Sequence, residues 1–237
     1  MGFDPGQRKG FPRNQYEGTL MATQNPITRF GLLRHGKTEW NQTKRIQGQK
    51  DSPLTPEARH KADQWGNVLI GVGWDRIISS DLGRAVETAT LINQSLRVPM
   101  VQDSRLREQD WGRWTGKTLT QLKEKEKQRL TEQVNAGWSF CPPGGEDRCS
   151  VLERSQAALL FAGTNWAGET ILVVTHEGVI KSLIYHLSGR KFLPSEPPLI
   201  RGNHIHWLSY DNAGIGIIKI NALDLSKNHE TVPALVK

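Results

Sequence analysis

Cysteine is nearly absent. The 237-residue chain carries two, Cys141 and Cys149, too few and too oddly spaced for a disulfide framework or a zinc knuckle. A reduced, cytoplasmic setting is therefore expected. Long apolar runs are missing too, and no stretch approaches a membrane span. The N-terminal residues contain no continuous apolar segment of the signal-peptide kind. Runs of one charge sign are also lacking. The formal charge is +7, yet the basic residues are scattered, and residues 123–129 alternate Lys with Glu as a solvated helix face does. A nucleic-acid role would rest on net charge alone, so none is expected. A small anionic substrate explains the positive excess equally well. There is no internal repeat and no convincing linker. One domain is expected over residues 29–224, between a flexible polar extension at 1–28 and a polar tail at 225–237. Met21 offers an alternative start inside that extension.

Within these bounds, strand and helix signals alternate. Residues 29–33 read as a buried strand. Thr55-Pro56 starts a helix, with Thr as N-cap and Pro at the first position; Ala58, Ala62, Trp65 and Leu69 follow at helical spacing. Residues 75–79 form a second strand, and Asp81 is placed to cap the next helix. Residues 98–101 are a weak strand, since Pro99 cannot donate to a ladder. Thr118 with Gln121, and Ser150 with Glu153, resemble capping boxes opening two helices. Residues 170–175 are a clear strand. The helix after it buries Val179, Ile180, Leu183, Ile184 and Leu187 and stops at Gly189. Residues 204–210 and 215–220 close the fold as a hairpin. The expected architecture is an α/β three-layer sandwich, a mainly parallel central sheet with helices on both faces.

Four strand-like segments end in chemically capable residues. Leu32-Leu33 leads into Arg34-His35-Gly36, and Ile77-Ile78 leads through Ser79-Ser80-Asp81-Leu82-Gly83 to Arg84. Leu106-Arg107 precedes Glu108, and Val173-Val174-Thr175 precedes His176. In a parallel sheet these ends share one rim, where ligands bind. Two His, two Arg and one Glu converging there suit phosphoryl transfer. Guanidinium groups match phosphate oxygens bidentately. A neutral imidazole can attack phosphorus, fixed cations stabilise the spread charge of the transition state, and a carboxylic acid can protonate the leaving oxygen. No metal or cofactor is required by this set.

On these residues the chain resembles the histidine phosphatase superfamily, which includes cofactor-dependent phosphoglycerate mutases and many phosphatases. The motif Leu33-Arg34-His35-Gly36-Lys37-Thr38-Glu39-Trp40-Asn41 carries most of the likeness. Gln47-Gly48, Asp51-Ser52-Pro53-Leu54-Thr55, the Ser79–Ala85 stretch and Pro143-Gly144-Gly145-Glu146 follow in the family's order. The resemblance implies that His35 becomes phosphorylated, that Arg34, Arg84 and His176 hold the phosphoryl group, and that Glu108 is the proton donor. It places Gly36, Lys37, Asn41, Gln47 and Gly48 at the substrate. Mutases carry a Glu-Arg-His-Tyr stretch where this chain has Glu108-Gln109-Asp110-Trp111, and a longer insertion before the second His. The resemblance therefore implies the phosphatase branch, similar to α-ribazole and broad-specificity phosphatases. A mutase, or a non-catalytic phosphate- or protein-binding module, is the alternative.

Plainer readings stand beside these. Glu39, Asp110 and Glu146 compete with Glu108 for the acid role. Glu177, where many members have Gly, either repels the substrate, orients His176 or caps a helix. His204 and His206 alternate like a metal pair, but ordinary strand packing accounts for them with no third ligand in sight. Trp111, Trp114 and Trp138 line either the leaving-group pocket or the core. Residues 119–134 form either a lid or a solvated helix. A charged His176 would help bind the phosphate, and the His35 tautomer is expected to be fixed by an unidentified backbone carbonyl. The expected partner is a small phosphomonoester, with oligomeric state open, a homodimer included.

Overall fold

Apolar side chains occur on both faces of the strand Thr28–Arg34 (β1), which marks it as the centre of a covered sheet. Phe30 and Leu32 join one core cluster while Leu33 joins another on the opposite face. The computed structural model describes residues 26–226; the expectations for the N-terminal extension and most of the tail lie outside them. After β1 come a short helix Glu39–Gln42 (α1), the helix Pro56–Leu69 (α2), the strand Arg76–Ser79 (β2) and the helix Gly83–Leu96 (α3). Strand Met100–Gln102 (β3), helices Leu119–Lys125 (α4), Lys127–Asn135 (α5) and Arg148–Asn165 (α6), and strand Thr170–Thr175 (β4) follow. Helix Glu177–Leu187 (α7) and the hairpin His204–Asp211 (β5) and Gly214–Asp224 (β6) complete the fold.

The sheet order is β3-β2-β4-β1-β5-β6. The pairs β1–β4, β2–β4 and β2–β3 are parallel; β5 and β6 add antiparallel strands at one edge. α2 and α3 cover one face through Ala62, Trp65, Leu69, Ala85, Ala89 and Ile92. α6 and α7 cover the other through residues such as Leu159, Ile180 and Leu183. The three-layer α/β sandwich is thus the observed architecture. Gly31 permits one close approach: a Cβ there would overlap the Trp74 ring, which stacks on Trp207 with centroids 5.0 Å apart.

Several local expectations change. Asp81 does not cap α3, whose N-cap is Leu82. Asp81 instead holds Arg107 with bonds of 2.8 and 2.6 Å, and Asp51 accepts from Gly83 N at 2.7 Å. The N-cap of α6 is Asp147 rather than Ser150, its carboxylate accepting from Ser150 N at 2.8 Å. The 119–134 stretch is two helices interrupted at Glu126, which turns away to bind Lys117 at 2.8 Å and Trp114 Nε1 at 3.1 Å. The weak strand starts two residues late, at Met100, leaving Pro99 to contribute only a carbonyl to Ile77 N. At the C-terminal edge Leu225 is buried, and its carbonyl accepts from Trp65 Nε1 at 3.0 Å. Among the described residues, no helix is long and apolar enough to cross a membrane.

Candidate active site

The parallel ladder runs directly into the site. His35 N donates to Thr175 O and Ser80 N to Val174 O, each at 2.9 Å. The residues just past β1, β2 and β4 are therefore neighbours on one rim, as the topology of a parallel sheet dictates. His35 and His176 lie with ring centroids 5.1 Å apart. Both are buried.

The His35 ring is fixed at both nitrogens. Nδ1 lies 2.7 Å from the Gly36 carbonyl, which can only accept, so Nδ1 carries the proton. Nε2 is left with a lone pair, addressed by Arg84 Nε–H at 3.3 Å. Burial, then the Arg34 and Arg84 charges, hold the His35 pKa well below its ordinary value. The ring is held neutral, with its lone pair at Nε2.

Arg84 sits in the first turn of α3 with only 1% of its side chain exposed. Its guanidinium donates to Gly48 O (2.8 Å), Lys50 O (2.9 Å) and Asp51 (2.9 Å). Thr88, one helical turn on, donates to Arg84 O at 2.7 Å and accepts from Gly36 N at 3.0 Å. That hydroxyl ties the nucleophile loop to the arginine helix. Burial lowers the Arg84 pKa from its usual value, opposed by Glu108 and Asp51.

His176 Nε2 contacts Ser80 Oγ at 2.8 Å, while its Nδ1 is buried without a protein hydrogen-bond partner. Burial, followed by the charges of His35, Arg84, Arg34 and Arg154, pushes its pKa well down. A charge on His176 is therefore disfavoured here, by burial first and then by the nearby arginines.

A cavity of about 550 Å³ opens beside Arg34 and Arg84, with neither His35 nor His176 among the residues that line it. Arg34, Arg84, Glu108, Gln47, Gly48 and Asn41 line it. Lys37 does not; it is exposed, and its carbonyl accepts from Thr55 N at 2.9 Å. Gly36 lies behind His35 and contributes its carbonyl and N–H rather than a wall. Asn41 completes the capping box of α1 with Thr38, its Oδ1 accepting from Thr38 N at 3.0 Å, which leaves its amide NH2 for the cavity. Gln47 Oε1 is buried without a protein partner. Trp111 lines the cavity, whereas Trp114 belongs to the core under α4 and α5.

Glu108 is held at both oxygens: Oε1 accepts from Gln109 N at 2.8 Å and Oε2 from Gly178 N at 3.3 Å. Of its rivals, Glu39 is exposed and does not line the cavity, and the other two are engaged elsewhere. Glu146 pairs with Arg154 at 2.7 Å, and Asp110 accepts from Gly112 N at 2.8 Å. Arg154 also donates to the carbonyls of Arg105, Arg107 and Glu108, so it fixes the acid's loop. Glu177 neither orients His176 nor stands free: it pairs with Arg34 and Lys181, each at 2.5 Å.

Sequence reasoning left Asp51, Ser80, Thr88 and Arg154 without roles. Asp51 and Ser80 stand inside motifs already quoted; Thr88 is one turn beyond Arg84. Arg154 gave no signal, being a mid-helix cation that acts on backbone carbonyls.

A buried histidine with a fixed tautomer, flanked by arginines at the carboxyl rim of a parallel sheet, defines a phosphoryl-transfer type of site. The chain belongs to the histidine phosphatase superfamily, branch 1, whose family model matches residues 30–222. It is 38% identical over 158 residues to the probable phosphoglycerate mutase GpmB of Salmonella paratyphi B, covering 67% of this chain and 74% of that one. Among solved structures, Bacillus stearothermophilus YhfR superposes with a TM-score of 0.77 at 32% identity, covering 84% of this chain and all of that one. A mycobacterial glucosyl-3-phosphoglycerate phosphatase gives a TM-score of 0.71 at 29% identity, covering 83% and 100%.

Proposed function

We propose that the protein is a metal-independent phosphomonoester hydrolase acting on a small phosphorylated metabolite through phospho-His35. The fixed His35 tautomer carries this reading, since it leaves Nε2 as the one ring nitrogen able to attack. In the first step the Nε2–P bond forms and the P–O ester bond breaks, while Glu108 gives its proton to the leaving oxygen. In the second, Glu108 takes a proton from water, the water oxygen attacks phosphorus, and the Nε2–P bond breaks to release phosphate. Arg84 and Arg34 stabilise the equatorial oxygens in both steps. Arg84 Nε, now directed at the lone pair, is placed to turn its N–H to a phosphoryl oxygen as that pair is used. The buried Nδ1 of His176 is a further candidate partner for a phosphoryl oxygen.

A mutase is the second reading, favoured by the relatives named as probable phosphoglycerate mutases. Against it, the two positions after Glu108, where mutases carry Arg and His, hold no cation. Gln109 is buried and donates to Glu146 O at 2.7 Å, and Asp110 is tied to Gly112. The test is phosphate release from a panel of monoesters in the presence of EDTA, with acid-labile phosphoenzyme trapped in parallel. His35→Ala is expected to abolish both release and labelling; near-normal turnover in that variant sinks the mechanism. Isomerisation of 3-phosphoglycerate without phosphate release would decide for the mutase.

A further inference from the structure

Of the cavity's cations that the two-step reaction does not use, Arg148 is the one packed against aromatic rings. Arg148 opens α6 and lines the wall formed with Phe192 and Leu193. Its guanidinium lies between two rings, with Cζ 4.3 Å from the centroid of Phe140 and 4.2 Å from that of Phe192. Nη1 donates to Gly137 O at 2.8 Å and is 3.4 Å from Phe192 O. Of the other lining cations, Arg34, Arg84 and Lys181 each have a carboxylate partner, and Arg45 is solvent-exposed with its guanidinium donating to Gly116 O at 2.9 Å. Arg148 has none among the described residues, and burial draws its pKa down to about 10.

The surrounding backbone is shaped to hold it. Gly137 has φ +58°, and a Cβ there would meet Lys191 O at 2.5 Å. Phe192 has φ +62°, a left-handed conformation that is unfavourable for a bulky residue. A partly desolvated guanidinium without a counter-charge is itself unfavourable, and ring stacking offsets only part of that. Two rings pack against the guanidinium and Nη1 is taken up by backbone carbonyls, so Nε and Nη2 are the donors left for a ligand. A planar edge matches a planar carboxylate.

We propose that Arg148 is a specificity-determining residue that binds a carboxylate on the organic part of the substrate. The substrate class is then a carboxylated phosphomonoester. This rests on the hydrolase reading for the phosphate end only. A plain structural clamp, joining α6 to the Gly137 and Phe192 segments, is the rival account.

The test uses the full chain and non-hydrolysable probes: benzylphosphonate and its three carboxybenzyl isomers, with Kd measured by calorimetry. Wild type is expected to bind one carboxylated isomer about tenfold tighter than the parent, the scale of one charge-assisted bond. Arg148→Gln is expected to lose that preference while binding the parent within about twofold, and Arg148→Lys to recover part of it. Equal affinity for all four probes in wild type overturns the subsite even if the variant fails to fold. So does equal loss for every probe in a folded Arg148→Gln. Phosphate release from the matching esters is scored separately: carboxylate-dependent binding without release removes the hydrolase reading and leaves the subsite standing.

Discussion

At the scale of single residues, the site divides chemistry from placement. His35, Arg34, Arg84 and His176 could be picked out because strand ends share a rim; the strand expected before Glu108 is instead a 3-10 turn, Ser104–Leu106, beyond the end of β3. What fixes them could not be picked out. The carbonyl that sets the His35 tautomer belongs to Gly36, the next residue, and no pattern of side chains marks a carbonyl. Arg154 likewise acts through three backbone oxygens. Lys37 shows the opposite error: adjacency to the motif suggested contact, but the turn after His35 sends it to solvent. The Glu108 role gives a sharp prediction. Glu108→Gln cannot donate a proton to the leaving oxygen, so kcat should fall about 10²–10⁴-fold for alkyl esters. For 4-nitrophenyl phosphate, whose leaving group needs little protonation, the loss in phosphorylation rate should be far smaller. Burst kinetics separate that step from hydrolysis of phospho-His35. An equal loss in phosphorylation for both ester types would remove Glu108 as the acid.

At the scale of elements, helix starts with a side-chain signature were legible. Thr55 and Thr118 cap their helices as their spacing indicates, with bonds of 3.1 and 3.2 Å to Ala58 N and Gln121 N. The α3 start was not, because its first N–H groups are satisfied by Asp51, 32 residues back. A long-range cap has no local signature. The break at Glu126 was missed for a related reason: charged residues at helical spacing look alike whether they face water or turn inward to Trp114 and Lys117. The start of α7 carries a functional constraint. Gly178 lies in its first turn with its N–H on Glu108 Oε2, and a Cβ there would overlap Glu108 Oε1. Gly178→Ala therefore has to displace the carboxylate, although Ala favours the helix by about 1 kcal/mol. The expected outcome is an unchanged or slightly raised melting temperature with kcat reduced at least about tenfold. A fully active Gly178→Ala enzyme would mean the carboxylate has other productive positions.

At the scale of the whole molecule, alternation of strands and helices gave the layers, but not the strand order. Parallel pairing is decided by which crossover packs where, so placing β4 between β2 and β1 needed the three-dimensional core. That arrangement buries three histidines in neutral form: His35, His176 and His206. His206 is remote in role from the phosphate site, which makes it the clean probe of their joint effect. Its Nδ1 accepts from Asn221 N at 3.2 Å, and burial with the nearby His204 lowers its pKa from 6.5 to about 4. The sign follows from proton counts. Below pH 6.5 the unfolded chain binds a proton at this residue while the folded protein does not, so stability falls as pH drops, until the folded group titrates near 4. The carboxylates with lowered values, such as Asp81 and Asp147, act in the same direction but only once pH falls toward their own acidic range. Between pH 6.5 and about 4 the histidines therefore dominate the slope. At 1.36 kcal/mol per pH unit, His206 alone accounts for about 2 kcal/mol of stability lost between pH 7 and pH 5. Urea unfolding at the two pH values should show a drop in wild type that is smaller by about that amount in His206→Gln, whatever the variant's absolute stability. Equal drops in the two proteins would mean that His206 takes up its proton in the folded state as readily as in the unfolded one.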